Sequence, residues 1–340
     1  PEQRPRPPSP LISPIPDPES AKNLWYAVVG RATITAILYP IEYVKFLTQI
    51  GHEPLPPRPT RRFFGKPVLQ LPGAIEYMKH IKKVDGYAGL YRGLSVRLCA
   101  NVVSGAVFTK VNRRLPEVRS FEDEEDDVTV TEEQRIINFI KRTCKLMTAK
   151  CAALCVAQPL NVVCFRYMAQ FVGREEKYTG IFTSVVEIYR EEGVLGLFSG
   201  LVPRLIGEVL TIWFANTISF VINAYIVQDK TLQSYVSALT MFLSSSVTYP
   251  FSLVGTVMAV SGCSLEAGRP PNMPVYPSWS ECWQHLNRLN QLKRGSSVIW
   301  RYYQGPYIID ESGRACSEAC LLPGCIQKQP SLYRPGRMGT

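Results

Sequence analysis

The chain has 340 residues, of which 46% are apolar and only 19% are charged, and its mean hydropathy is -0.01. These values exclude a long disordered chain and argue against an ordinary soluble enzyme, in which about 25% of residues are charged. They fit membrane helices that each keep one polar face. The net charge of +10 favours anionic lipid headgroups or acidic partners over nucleic acid, since no dense stripe of Lys and Arg with interleaved aromatic residues is present.

Five apolar segments are long enough to cross a bilayer as helices, which takes about 20 residues. They are expected at about 24–49, 94–115, 138–171, 201–228 and 232–261. The last two are uncharged over residues 209–228 and 231–265, whereas the other three carry internal charges, at Arg31, Arg97 and Lys150. Because a charge inside the bilayer is costly, we expect these side chains to face a bundle interior or a water-filled cavity.

The ten cysteines and three histidines form no metal-binding pattern, because no C-x-x-C spacing occurs and no His lies near the cysteine clusters. We therefore expect no metal and no cofactor, and we interpret the cysteines as small buried apolar residues in a reducing compartment. The sequence also lacks a phosphate-binding loop, a nucleophile elbow and a His-based triad. These absences predict that the chain is not an enzyme.

Two short motifs recur three times in the same order. The first motif begins with a proline, in Pro40-Ile-Glu42-Tyr-Val-Lys45, Pro159-Leu-Asn161-Val-Val-Cys164 and Pro250-Phe-Ser252-Leu-Val-Gly255. In the second motif, four residues separate a glycine from an aromatic residue. The pairs are Gly86 and Tyr91, Gly193 and Phe198, and Gly295 and Trp300. Each proline is expected to kink a spanning helix.

The paired pattern P-x-[DE]-x-x-[KR] and [DE]-G-x4-[WYF]-[KR]-G resembles the repeat of mitochondrial solute carriers. This resemblance implies three helix hairpins of ~100 residues around a pseudo-threefold axis, each bridged by a short surface helix. Amphipathic stretches at 72–84, 178–191 and 279–293 fit the bridging helices.

Further segments are similar to the mitochondrial carrier homologue family, whose members are divergent carriers of the mitochondrial outer membrane. They are Gly51-His-Glu-Pro-Leu-Pro-Pro57, Gln70-Leu-Pro-Gly73, the run from Tyr189 to Arg204, Tyr249-Pro-Phe251 and Ser278-Trp-Ser-Glu-Cys-Trp283. The resemblance covers residues 24–303 and implies a multi-pass insertase for tail-anchored and other α-helical membrane proteins. It also implies docking of the pro-apoptotic BH3 protein truncated Bid, and hence a role in apoptosis.

The expected fold is therefore an all-α membrane protein, a mitochondrial-carrier-like three-repeat helical bundle that lacks the sixth transmembrane helix. Residues 302–340 contain charged residues, four prolines and no apolar run of about 18 residues. The predicted divisions are a disordered Pro-rich arm (1–20), carrier repeat 1 (21–118), an acidic linker (119–135), carrier repeat 2 (136–228), an incomplete carrier repeat 3 (229–303) and a disordered tail (304–340).

The gates of a transporting carrier are missing from the motifs. Only the first motif has both an acid and a base, Glu42 and Lys45, so a ring of three ion pairs is not expected. The second gate of carriers, [FY]-[DE]-x-x-[KR], also lacks its acids here. Alternating access needs two competing closed states, which makes an inner-membrane solute carrier the less favoured function.

Helical periodicity places polar residues of the five segments on one face each, which predicts a hydrophilic groove. The candidate groove residues are Arg31, Glu42, Lys45, Gln49, Arg97, Asn101, Lys150, Asn161, Arg204 and Glu208. One alternative is that the charges lie at interfaces, that Arg204 and Glu208 pair with each other, and that the Ser and Thr side chains of segment five only assist helix packing.

A bundle without its sixth helix is open between segments five and one, so lipid reaches the groove from the side. This arrangement favours membrane-protein insertion, with lipid scrambling as a natural side activity. The expected partners are membrane-protein clients, truncated Bid and membrane lipids, with no nucleic acid. A receptor or scaffold without transport activity stays open as an alternative, because a polar groove and a binding platform have similar sequences.

Overall fold

A computed structural model describes residues 18–61, 67–116, 131–225, 230–298, 300–303, 307–309 and 315–317, with side chains described from Val29 onward in the first range. Most of the predicted Pro-rich arm, of the acidic linker and of the tail lies outside these residues. The fold is mostly helical, as the sequence predicts.

The helices in the described part of the chain are five long ones and three short ones. They are α1 (Pro18–Gln49), α2 (Ala74–Gly89), α3 (Leu94–Arg114), α4 (Glu132–Gly173), α5 (Ile181–Leu197), α6 (Leu201–Tyr225), α7 (Lys230–Val260) and α8 (Trp279–Arg288). The long helices α1, α3, α4, α6 and α7 correspond to the five predicted segments. The short helices α2, α5 and α8 follow the first, third and fifth long helices, which are α1, α4 and α7. We call the end of the molecule where the short helices lie the short-helix side.

The strands are short and lie outside the helical bundle. They are β1 (Arg58–Arg61), β2 (Pro67–Leu71), β3 (Arg301–Tyr302), β4 (Tyr307–Ile309) and β5 (Ala315–Ser317). The first three form an antiparallel sheet in the order β1-β2-β3, in which Leu71 lies opposite Arg301, and β4 pairs with β5. Where a carrier begins its sixth helix, this chain therefore forms β3 and returns to repeat 1.

Four helices of the described part are long and apolar enough to cross a membrane, namely α3, α4, α6 and α7. Helix α1, whose side chains are described only from Val29, is not among them, so the prediction of five spans stays a prediction. Helix α3 has 21 residues and is about 31 Å long, which matches the ~30 Å hydrocarbon core of a bilayer.

The repeat is visible in the backbone at its glycines. Gly86, Gly193 and Gly295 all have positive φ, of 74°, 70° and 76°. Gly200 also has positive φ, and a Cβ atom there would lie 2.1 Å from the carbonyl oxygen of Gly255. Only glycine fits both demands, the left-handed conformation and the close approach of α6 to α7. The third repeat has Tyr302 in place of this glycine, because its chain enters β3.

The buried core lies towards the short-helix side. It contains Tyr43 and Leu47 of α1, Val163 of α4 and Leu253 of α7, all at 0% exposure. Farther from the short helices, α1 and α7 expose large apolar side chains. These are Ile34, Ile37 and Leu38 on α1 and Leu239, Phe242 and Leu243 on α7. The bundle is therefore tightly packed at the short-helix side, whereas farther along their described lengths α1 and α7 contact each other little and leave an opening between them.

Ser237, Thr240, Ser244, Thr248 and Ser252 form a hydroxyl stripe along α7, and two of these side chains hydrogen-bond to α6. Thr248 hydrogen-bonds to Thr211 at 2.5 Å, and Ser237 hydrogen-bonds to Ser219 at 2.9 Å. Small polar side chains at such helix contacts let the backbones approach and satisfy each other's hydrogen bonds. The alternative reading of these Ser and Thr residues, as aids to helix packing, is thus the one that the structure supports.

Candidate functional site

A cavity of about 550 Å³ lies between α1, α3, α4 and α6, and Met241 of α7 contributes to its wall. Its polar lining is Arg31, Thr35, Asn101, Ser104, Lys150, Glu208 and Thr211, and its apolar lining includes Ile34, Phe108, Leu146 and Ile212. Four of the predicted groove residues, Arg31, Asn101, Lys150 and Glu208, are therefore brought together from four different helices.

The cavity lies at mid-height in the bundle, because Asn101 and Ser104 are in the middle of α3. Ionisable side chains at that depth need water or a partner. Arg31, Lys150 and Glu208 give the cavity two positive charges and one negative charge. None of the ion pairs among the described residues joins these three side chains to one another. The cavity thus combines largely apolar walls with three charged side chains, which can interact with a charged or hydrogen-bonding guest.

Four other predicted groove residues form a layer below the cavity, which we call the polar floor: Glu42, Arg97, Asn161 and Arg204. Arg97 forms an ion pair with Glu42 and donates a hydrogen bond of 3.2 Å to Oδ1 of Asn161. Asn161 itself donates to the carbonyl oxygen of Ala157 at 3.0 Å. One arginine of α3 therefore links the first motif to the second, and no ring of three ion pairs forms among the described residues.

Arg204 completes the polar floor without an ion pair of its own in the described part of the chain. Its guanidinium carbon lies 5.8 Å from the centre of the Phe165 ring, and its Nη1 atom is buried without a hydrogen-bond partner among the described residues. It is not paired with Glu208, which lines the cavity instead. Among the described residues, the predicted alternative of a close ion pair between these two side chains is therefore not observed.

The remaining predicted groove residues, Lys45 and Gln49, lie at the contact between α1 and α7. Nε2 of Gln49 donates to the hydroxyl of Tyr249 at 2.9 Å, and Nζ of Lys45 lies 5.4 Å from the centre of the same ring. The structure thus places Lys45 and Gln49 at a helix contact on the short-helix side and not on the cavity wall.

Sequence reasoning missed the residue that precedes each repeat proline. Tyr39 donates to the carbonyl oxygen of Arg92 at 2.7 Å, and Gln158 donates to that of Ser199 at 2.9 Å. Tyr249 donates to the carbonyl oxygen of Arg294 at 2.7 Å. The shared position before proline was the available signal. These bonds tie each proline-containing helix to the segment that follows its short helix.

A buried arginine, also missed, joins repeat 2 to repeat 3. Arg166 is 0% exposed and donates two hydrogen bonds to Glu192, of 2.7 and 2.6 Å, while its Nε donates to the carbonyl oxygen of Ala259 at 3.3 Å. At the position equivalent to Glu192, repeat 3 has Arg294. Arg294 instead donates twice to the carbonyl oxygen of Gln49, at 3.0 and 2.6 Å.

Two neighbouring groups on the short-helix side have shifted pKa values. Burial lowers the pKa of His52 to about 4, and the nearby His80 lowers it further in the same direction. Burial raises the pKa of Glu53, which the charge and hydrogen bond of Arg301 oppose. Among the described residues, no group of three or more His, Cys, Asp or Glu is placed to hold a metal ion.

The chain matches the family model described as mitochondrial carrier protein over residues 17–117 and 137–226, which is more than half of its length. It is 42% identical to mitochondrial carrier homolog 2 of Mus musculus, over 79% of this chain and 90% of that protein. It is 39% identical to mitochondrial carrier homolog 1 of Mus musculus, over 79% of this chain and 74% of that protein.

More distant relatives include the nicotinamide adenine dinucleotide transporter 2, mitochondrial, of Arabidopsis thaliana, at 27% identity over 56% of this chain and 47% of that protein. The identity to the carrier homologues is much higher and extends over more of the chain. The three-repeat bundle, its altered gate positions and these relatives agree, and the chain belongs to the mitochondrial carrier homologue family.

Proposed function

We propose that the chain is a mitochondrial outer-membrane insertase, which places tail-anchored and other α-helical proteins into the lipid bilayer. The observation that carries this proposal is the charged cavity at mid-height, lined by Arg31, Lys150 and Glu208, beside the open side between α1 and α7. The mitochondrial location is proposed from the names of the relatives.

The physical barrier to insertion is the polar flank of the client helix. That flank must cross about 30 Å of hydrocarbon, in which unsatisfied polar groups cost several kcal/mol each. A chamber halfway across divides this path into two shorter steps. Asn101, Lys150 and Glu208 offer amide, cationic and anionic partners to the flank while it is out of bulk water.

The apolar part of the client does not need the chamber. The flanks of the opening are apolar and exposed, with Ile37 of α1 at 68% and Phe242 of α7 at 66% exposure. A client helix can therefore stay against these side chains and lipid while its polar end passes along the cavity. The same geometry supports lipid scrambling as a side activity, with the headgroup in the cavity and the acyl chains outside.

Solute exchange is less well supported by the geometry. The polar floor is held by Glu42, Arg97 and Asn161, and two of these residues are the acid positions of carrier motifs. A carrier must break and remake such contacts between helices of different repeats. Here the ion pair lies within repeat 1, between α1 and α3, so opening it would not open a gate.

We propose, from the family resemblance, that truncated Bid docks on the chain. Liposomes that contain the purified protein should retain truncated Bid above the level of protein-free liposomes of the same lipids. Equal retention of truncated Bid by the two kinds of liposome would contradict this docking proposal and would leave the insertase proposal unaffected.

Reconstitution into liposomes tests the main proposal. An insertase integrates a purified tail-anchored client, so that its membrane segment becomes resistant to carbonate extraction, whereas a solute carrier exchanges a labelled solute and a scaffold does neither. Empty liposomes and liposomes with an unrelated bundle protein serve as controls. Client integration at the control level, with the protein folded and correctly oriented, would contradict the proposal.

A further inference from the structure

The opening between α1 and α7 raises the question of what holds these helices together, since no sixth helix lies between them in the described part of the chain. Besides the buried core at the short-helix side, the polar contact between them among the described residues is confined to Lys45, Gln49 and Tyr249. Further connections come from the segment that follows α8, which crosses from repeat 3 to the loop after α1.

Arg294 makes the first of these connections. It donates twice to the carbonyl oxygen of Gln49, at the last residue of α1. A cation at this position satisfies an orphan carbonyl and complements the negative end of the helix dipole. Gly51 and Gly295 permit the approach, since a Cβ atom on Gly51 would lie 3.0 Å from Nη1 of Arg294 and one on Gly295 would lie 2.9 Å from Cγ of Gln49.

Arg301 makes the second connection. It forms an ion pair with Glu53, in which the two side chains are 5% and 16% exposed, and it donates to the carbonyl oxygen of Pro72 at 3.1 Å. Because both charges are largely removed from water, loss of one partner leaves an uncompensated buried charge.

The backbone adds a third connection. Strand β3 pairs with β2, the amide of Tyr303 donates to the carbonyl oxygen of Leu69 at 2.8 Å, and the amide of Ala74 donates to that of Val298 at 2.9 Å. All of these partners belong to the loop that follows α1 or to the start of α2. Side-chain and backbone contacts thus converge on the same short stretch of repeat 1.

We propose that Arg294, Gly295, Val298 and Arg301–Tyr303 form a C-terminal clamp, which replaces the missing sixth helix in joining repeat 3 to repeat 1 and fixes the width of the lateral opening between α1 and α7. The clamp holds the two helices at the short-helix side only. Beyond the clamp, α1 can tilt relative to α7 about its clamped end. Release of the clamp widens the opening, and its closure narrows it.

The width can be measured between spin labels introduced as non-canonical amino acids at Ile37 of α1 and Leu239 of α7, which avoids the native cysteines. Both positions are exposed, at 68% and 58%. In the full-length protein in liposomes, Arg301→Gln should shift the distance distribution to longer values and broaden it. Arg58→Gln, which breaks the exposed ion pair of the same loop with Glu76, should leave the distribution unchanged.

A disulfide across the strand pair gives the complementary variant. Gln70 and Tyr302 are Cα partners, so Gln70→Cys with Tyr302→Cys should lock β3 to β2 when oxidised. The oxidised form should narrow the distribution even in the Arg301→Gln background, and reduction should restore the broad one. The wild-type chain, treated with the same oxidant and reductant, controls for its own cysteines.

Unchanged distances in folded Arg301→Gln and Arg294→Gln would overturn the clamp. If Arg301→Gln does not fold, Glu53→Gln and the oxidised and reduced forms of the double-cysteine variant decide the question in its place, and equal distances in all three would reject it.

The further link, that a wider opening changes client insertion, rests on the proposed function. Insertion is therefore measured in the same liposomes. Altered distances with no insertion by the wild-type chain would leave the clamp in place and remove the insertase, whereas unaltered distances with active insertion would do the reverse.

Discussion

Glu208 is the acidic side chain on the cavity wall among the described residues, where it lies with Lys150 and Arg31. Glu208→Lys makes the described wall charges all positive. Position 208 also lies one helical turn after Arg204, and two cations about 6 Å apart repel by roughly 3 kcal/mol at an effective dielectric near 20, which water in the cavity reduces. Insertion of a client with a basic flank should fall about tenfold to a hundredfold, while a client with an acidic flank should gain.

The matched control for this variant is Glu176→Lys, an exposed acid outside the membrane-spanning segments. Both variants change the net charge equally, so a shared effect would reflect membrane binding. Insertion that is insensitive to Glu208→Lys, at normal protein abundance and for both clients, would mean that the flank does not pass this wall.

His52 predicts a pH dependence of stability. Its folded pKa of about 4 lies below its ordinary value near 6.5, so the unfolded chain binds more protons and the free energy of unfolding falls as pH drops from 6.5 towards 4. The lowered pKa of His80 acts in the same direction. The raised pKa of Glu53 acts in the opposite direction, because the folded state then takes up the proton first.

Thermal unfolding in detergent at pH 7.5 and pH 5 measures this balance. We expect destabilisation on the order of 1 kcal/mol at pH 5, since His52 is only partly buried, and a smaller change in His52→Asn. Ordinary carboxylates stay ionised over most of this range. If His52→Asn and the double variant His52→Asn with His80→Asn both show the same pH effect as the wild-type chain, the dependence belongs to other groups.

Lys45 marks the limit of periodicity as a guide to single residues. Its spacing from Arg31 and Glu42 predicts a groove position, yet it lies over the Tyr249 ring at the α1–α7 contact. Helical period gives the face of a residue but not its height relative to a cavity. The position of Lys45 along the bundle depends on contacts with residues remote in sequence, such as Tyr249, which periodicity does not predict.

At the level of elements, the α6–α7 contact depends on glycine. Gly200→Ala adds both a left-handed strain of about 1–2 kcal/mol and a Cβ atom only 2.1 Å from the Gly255 carbonyl oxygen. We expect it to prevent stable folding. Gly193→Ala carries the strain without the collision, because nothing lies within 4 Å of its Cβ position, and it should lose only the smaller amount.

Gly30→Ala is the matched control, since this glycine lies inside α1 with open space around its Cβ position. It should be neutral or slightly stabilising, because alanine is favoured over glycine in a helix by about 1 kcal/mol. Protease resistance in detergent ranks the three variants. Equal resistance of the Gly200 and Gly30 variants would contradict the close approach of α6 and α7.

The long helices were predictable because their apolar length exceeds what any other element needs, and the predicted ends agree with the observed ones within a few residues at most termini. The motifs also predicted the loss of the carrier gates. They did not predict the contacts that the residues at the gate positions make instead. Gly255 occupies a base position of the carrier motif, but a Cβ atom there would lie 3.1 Å from the carbonyl oxygen of Gly200 and 3.4 Å from Cβ of Arg204, so a longer side chain would be crowded by the start of α6.

For the whole molecule, five spanning helices predict that the two chain ends lie on opposite sides of the membrane. The four apolar helices of the described part and the polar-faced α1 together give this odd number. A tag before Pro1 and a tag after Thr340 should therefore differ in protease protection on intact mitochondria. Equal protection of both tags would require another count.

The C-terminal clamp could not be predicted, because its strand pairs join residues more than 200 positions apart and its charged contacts have no periodic signature. The polar floor was only partly predictable for the same reason. Its residues follow from the motifs, but the choice of partners depends on how far each hairpin is rotated in the bundle. Threefold sequence symmetry predicts equivalent contacts, and this chain departs from them in repeat 3.

The hydroxyl stripe of α7 has a consequence for any helix that enters from the side. Because Thr248 and Ser237 are bonded to α6, the two rims of the opening are unlike. Both rims expose apolar side chains, but on the cavity side the α1 rim also carries Arg31 and Thr35, whereas the opposite rim carries Met241. We therefore expect an amphipathic client helix that enters between them to rotate about its own axis until its polar face meets α1 and its apolar face meets α7. Such an entrance would select client helices by their rotation about the helix axis, before any charged group in the interior acts on them.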